Sequence, residues 1–118
     1  MNQDIVIYHN PRCSKSRQSL ALLEQSNMSF KIKKYLEEPL KEEELKGLIE
    51  RLEIEPQELL RTKEPEYKLA GLKANDDNDT VISAIVKYPK LMERPIIDNG
   101  DRAVIGRPPE NVEKIIQI

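Results

Sequence analysis

Ile5-Val6-Ile7-Tyr8-His9-Asn10-Pro11-Arg12-Cys13-Ser14-Lys15-Ser16-Arg17 sets the frame for the whole chain. Its first four residues form a short continuous apolar run rich in β-branched side chains. Such a run suits a strand buried on both faces, as in a parallel sheet. A helical pattern then starts at Ser14 and runs to about Gln25, with Leu20 and Leu23 among its apolar positions. Cys13, the only cysteine, therefore falls at a strand-to-helix turn, at the positive end of a helix. Helix N-termini bind anions through free backbone N–H groups and favour the thiolate form of a cysteine. His9, Arg12, Lys15 and Arg17 add charge, or potential charge, around it. The pattern predicts a nucleophilic thiol that an anionic substrate can approach.

Working outward, Phe30-Lys31-Ile32-Lys33-Lys34-Tyr35 alternates apolar and polar residues and predicts a second strand. A β-α-β crossover of this kind makes a parallel pair. The middle of the chain is helical. Leu45, Leu48, Ile49 and Leu52 recur at the spacing of one amphipathic stripe, which is read as core, with Glu42, Glu43 and Glu44 in the first turn. Pro56 opens a short helix through Leu60, and Glu66 to Ala70 supplies another helical turn. The polar run Asn75 to Asp79 caps a helix from about Thr80 to Lys87. Strands return at Pro95-Ile96-Ile97-Asp98 and Arg102-Ala103-Val104-Ile105, flanking Asn99-Gly100. Asn-Gly between apolar runs predicts a hairpin whose two turn residues both accept positive φ. A final helix starts near Pro109, with Val112, Ile115 and Ile116 on one face. The order β-α-β, helices, β-β-α resembles the thioredoxin fold. That fold implies an α/β protein with a mixed four-stranded sheet. Residues 1–118 are expected to form a single domain with a helical insertion at about 40–90. The resemblance also implies a cis proline before the third strand, facing the thiol, and Arg94-Pro95 takes that place.

The bulk composition excludes several classes. A chain of 118 residues supports one core, and a formal net charge of −2 argues against a nucleic-acid binder. One cysteine allows no internal disulfide, and one cysteine with one histidine makes a zinc site within the chain unlikely. The acidic runs Glu42-Glu43-Glu44 and Asp76-Asp77 read as solvated caps, so no metal is expected. No apolar run approaches the roughly 20 residues that span a bilayer. Met1-Asn2-Gln3-Asp4 leads straight into the first strand and does not read as a signal peptide. The expectation is a soluble cytoplasmic protein, with nothing that demands more than a monomer.

Four arginine-bearing segments complete the picture: Arg12-Cys13 with Arg17, Leu60-Arg61, Arg94-Pro95-Ile96, and Gly106-Arg107-Pro108-Pro109-Glu110. Together with the Tyr8 to Arg17 run, and in this order and spacing, they resemble the glutaredoxin-coupled arsenate reductases of the ArsC family. The resemblance implies that Cys13 attacks arsenate and that Arg61, Arg94 and Arg107 hold the oxyanion. It further implies glutathione as co-substrate, glutaredoxin as the partner that restores the thiol, and no bound cofactor. Guanidinium forks suit tetrahedral oxyanions and stay charged at any working pH. The absence of a second cysteine agrees with an outside reductant. Ser16 is read either as a donor to the oxyanion or as an ordinary first-turn serine. His9 is read either as tuning the acidity of the thiol or as a plain strand-end histidine. Arg61 could instead pair with Glu58 or Glu64. A different class, the Spx-type regulators that bind RNA polymerase, shares the fold and the helical block. Such a regulator would be expected to carry a CxxC switch, and Cys13-Ser14-Lys15-Ser16 lacks its second thiol.

Overall fold

A computed structural model of the chain describes residues 5–116; the predicted lead-in Met1-Asn2-Gln3-Asp4 lies outside them. In chain order the elements are β1 (Ile5–Tyr8), α1 (Ser14–Gln25), β2 (Phe30–Lys33), α2 (Glu42–Leu52), α3 (Pro65–Leu69), α4 (Asn78–Lys87), β3 (Ile96–Asp98), β4 (Ala103–Ile105) and α5 (Glu113–Ile116). Short 3-10 turns occupy Pro56–Leu59, Pro89–Leu91 and Pro109–Val112. The chain divides into two compact units. One comprises the residues up to Glu38 together with those from Arg94 onward, and the other is Pro39–Glu93.

The first unit is built on a four-stranded sheet in the order β2-β1-β3-β4. β1 and β2 are parallel, with Ile5 opposite Phe30 and Tyr8 opposite Lys33. β3 runs antiparallel to β1, with Tyr8 opposite Ile96, and β4 antiparallel to β3. Ile5, Ile7 and Ile97 project from one face of the sheet onto Leu23 of α1 and onto Val112 and Ile115 near the C-terminus. Burying a side chain of this size contributes roughly 1.5–3 kcal/mol. This cluster anchors α1 against the sheet and so fixes where its N-terminus lies.

Two local expectations needed correction. β2 ends at Lys33, earlier than the predicted Tyr35. The Lys34 carbonyl accepts from both the Glu37 and the Glu38 N–H, so the chain turns there instead of extending. The alternation also misleads for Ile32, which lies on the edge strand and is 48% exposed. In the β3–β4 connection, the Asn99 N–H donates to the Arg102 carbonyl, so the central turn residues are Gly100 and Asp101. Only Gly100 has positive φ (94°). Asn99 serves through its side chain: Oδ1 accepts from the Asp101 and Arg102 N–H groups.

The second unit is helical. Leu45, Leu48 and Ile49 of α2 pack in the core with Val81, Ile82 and Ile85 of α4. Asp77 caps α4, its Oδ1 accepting from the Thr80 N–H at 2.8 Å. An isolated antiparallel bridge joins Leu60 to Met92. The Arg61 N–H donates to the Leu91 carbonyl at 2.7 Å, and the Glu93 N–H to the Leu59 carbonyl at 2.8 Å. That bridge sets Arg61 beside Glu93. Among the described residues, no helix is long and apolar enough to cross a membrane.

Candidate active site

Cys13 is the N-cap of α1, with extended backbone angles (φ −95°, ψ 123°), and its side chain is largely buried. The turn that presents it is built by Asn10, whose carbonyl accepts from the Cys13 N–H at 3.0 Å and whose Oδ1 accepts from the Arg12 N–H at 3.0 Å. A short polar side chain that bonds its own downstream backbone stabilises such turns. Asn10 was not singled out from sequence, although an Asn-Pro pair ahead of a helix is a recognisable signal.

Two of the expected arginines come together at the thiol. The guanidinium of Arg107 donates from Nε to the Arg94 carbonyl at 2.8 Å and from Nη2 to the Cys13 sulfur at 3.5 Å. The planar fork makes both contacts at once, which a lysine could not. The peptide bonds Arg94–Pro95 and Arg107–Pro108 are both cis. The first is the isomer that the thioredoxin resemblance implies. The Nε and Nη1 atoms of Arg94 are buried and have no hydrogen-bond partner among the described residues. Buried guanidinium N–H groups left unpaired are costly.

Two residues that position this corner had not been assigned roles. Asn111 Nδ2 donates to the Ile105 and Arg107 carbonyls, at 3.0 and 3.1 Å. Gly106 leaves no room for a side chain. A Cβ there would lie 2.5 Å from Ser19 Oγ and 2.7 Å from Pro95 Cγ. The Gly-Arg-Pro sequence is the only hint of that close approach.

His9 and Ser16 meet each other in the structure. Both are buried, and His9 Nδ1 lies 2.7 Å from Ser16 Oγ, which also accepts from the Asn10 N–H at 3.0 Å. Burial, then Lys34, then Arg17 hold the His9 imidazole below its ordinary range, so the ring is neutral at neutral pH. A neutral Nδ1 can accept the Ser16 hydroxyl proton. These bonds tie the loop, through the Ser16 hydroxyl, to His9 at the end of β1. His9 brings no positive charge to the thiol and acts on the loop through Ser16. Arg61 belongs to the second unit, where Glu64 (3.3 Å) and Glu93 (3.6 Å) hold its guanidinium. Glu64 was among the expected partners. Glu58 is instead engaged with the Glu55 N–H. Among the described residues, no group of three or more His, Cys, Asp or Glu side chains could hold a metal ion.

A mixed β2-β1-β3-β4 sheet with a thiol at the N-terminus of the first helix and a cis proline leading into β3 defines a thioredoxin-like protein. More narrowly, the chain belongs to the ArsC family, whose profile matches residues 8–115. It is 42% identical over 115 residues to an arsenate reductase of Neisseria meningitidis, covering 96% of this chain and 98% of that protein. An arsenate reductase of Haemophilus influenzae is also 42% identical, over 95% of this chain and 98% of its own length. The solved structure of an arsenate reductase from Vibrio cholerae matches with a TM-score of 0.90 at 43% identity, over 98% of this chain and 99% of that one.

Proposed function

We propose that this protein is a thiol oxidoreductase that reduces arsenate, with Cys13 as nucleophile and glutathione and glutaredoxin as the source of electrons. The observation that carries the reading is the Arg107 guanidinium, which spans the Arg94 carbonyl and the Cys13 sulfur. It gathers three residues, far apart in sequence, at one point beside a helix N-terminus. The unpaired N–H groups of Arg94 add further support.

In the first step the Cys13 sulfur attacks arsenic, an S–As bond forms, and water or hydroxide leaves. Arg94, Arg107 and the α1 N-terminus neutralise the oxyanion and stabilise the charge of displacement. A glutathione thiolate then attacks the Cys13 sulfur. The S–S bond forms as the S–As bond breaks, and the electron pair of that bond stays on arsenic, which leaves as arsenite. Each sulfur has given up one electron. Glutaredoxin exchanges with the Cys13–glutathione disulfide and restores the thiol. With one cysteine, the chain cannot resolve that disulfide internally. The cycle needs no resident cofactor.

The test is arsenate-dependent NADPH oxidation coupled through glutathione, glutaredoxin and glutathione reductase. Turnover should vanish in Cys13→Ser. In Arg107→Lys it should fall on the order of a hundredfold, the scale of losing one transition-state donor. A wild-type protein that shows no arsenate-dependent oxidation, while Cys13 still reacts with a thiol probe, would refute the substrate assignment.

A further inference from the structure

Charge is segregated along the sheet of the first unit. Between Ile5 and Tyr35 the chain carries six cations, Arg12, Lys15, Arg17, Lys31, Lys33 and Lys34, and one carboxylate, Glu24. The strand register sorts them. The C-terminal end of β1 meets Lys33 of β2 and Ile96 of β3, so Cys13, Arg94, Arg107 and Lys34 share one end of the sheet. Glu24, near the far end of α1, and Asp98 and Asp101 at the hairpin lie toward the other, together with Lys31, level with Val6, and Arg102.

The cations at the thiol end fall on two sides of β1. Arg94 and Arg107 lie on the β3–β4 side. On the β2 side the His9 N–H donates to the Lys33 carbonyl at 2.9 Å, which brings Lys34 beside the loop. Arg17 is fixed near it by a bond from Nη1 to the Pro11 carbonyl at 2.9 Å. The His9 N–H bond to Lys33 and the Arg17 bond to Pro11 thus place both cations, Lys34 and Arg17, against the loop that carries Cys13. Among the described residues neither has a carboxylate partner, and exposed Glu37 and Glu38 in the turn after Lys34 pair with neither.

Displacement at sulfur needs the nucleophile opposite the leaving group. The oxyanion leaves toward Arg94 and Arg107, so the attacking thiol arrives from the β2 side. We propose that Lys34 and Arg17 bind the carboxylates of the incoming carboxylate-bearing thiol. The inference rests on the reading of Cys13 as the reacting sulfur. In the step it serves, an S–S bond forms to Cys13 and the bond from Cys13 to its leaving group breaks, the leaving group taking the electron pair.

The test uses the solitary cysteine. Cys13 is converted to its disulfide with thionitrobenzoate, and release of the coloured thiolate is timed with glutathione, neutral 2-mercaptoethanol and cationic cysteamine, each rate corrected for thiolate fraction. Wild type is compared with Lys34→Glu and with Arg17→Gln. In Lys34→Glu the ratio of the glutathione rate to the 2-mercaptoethanol rate should fall about fivefold while the cysteamine ratio rises, with a smaller change in Arg17→Gln. Unchanged ratios, or an equal slowing with all three thiols, would overturn the proposal. No oxyanion takes part, so that failure leaves the arsenate assignment standing. Charge-selective exchange without arsenate turnover would remove only the substrate assignment.

Discussion

Cys13 and Arg107 are separated by 94 positions, yet one guanidinium joins the sulfur to the Arg94 carbonyl. No short-range pattern encodes that contact, which depends on β3 and β4 returning alongside β1. What was legible at this scale was chemistry: a lone thiol at a helix start and arginines in a recurring order. The partners of each side chain were not legible. Ser16 stands where a CxxC pattern would have its second cysteine, yet the partner of its hydroxyl, His9, lies seven residues earlier. His9 carries a prediction of its own. Its imidazole is harder to protonate in the folded chain than in the unfolded one, first through burial and then through Lys34 and Arg17. The stability tied to this group is therefore present above the ordinary imidazole value of 6.5 and is lost as pH falls below it toward the lowered folded value. Urea midpoints should drop more between pH 7.5 and pH 5 in wild type than in His9→Gln. Parallel profiles would count against it.

At the scale of elements, local pattern served well where one periodicity governed. β1, α1 and α2 fall where the apolar spacing places them, because each presents one face to a single core. It served less well at edges and turns. β2 stops short because the chain turns at Lys34, whose carbonyl accepts from Glu37 and Glu38, and the hairpin turn shifts by one residue because Asn99 acts through its side chain. The contact between α1 and the end of β4 is the clearest case of information absent from local pattern. Ser19 Oγ is buried with no hydrogen-bond partner among the described residues, directly where a side chain on Gly106 would go. Gly106→Ala should cost about 1–3 kcal/mol by overpacking. Ser19→Ala alone should be neutral or slightly stabilising, because it removes an unpaired buried hydroxyl. The double variant should recover part of the loss, since Pro95 Cγ at 2.7 Å still crowds the new methyl group. Strictly additive thermal-denaturation energies would show that the two sites do not share this space.

At the scale of the molecule, the order of elements was readable from the sequence because each segment is short and strongly patterned. The second unit spans Pro39–Glu93, beside the helical insertion expected at about 40–90. The chain returns to the sheet at Arg94, and the residue before it, Glu93, holds Arg61 within the second unit. Among the described residues the exposed large apolar side chains are Ile32 and Leu69, one in each unit. Single apolar residues of this kind are too little surface for a stable self-association. Sedimentation equilibrium should therefore give one species near 13.7 kDa across the micromolar range, and a concentration-dependent mass would refute this.

The uneven placement of charge along the sheet has a consequence for diffusion. With a formal charge of −2, the molecule as a whole repels an anion at long range. Inside a Debye length, about 8–10 Å at physiological salt, the local field dominates. There the cations gathered at the α1 loop, Lys34, Arg17 and Arg107 among them, set the sign that an anion meets. An approaching anion is turned toward the sulfur before it touches the surface, so encounters are biased toward productive orientation without the chain having to be basic overall.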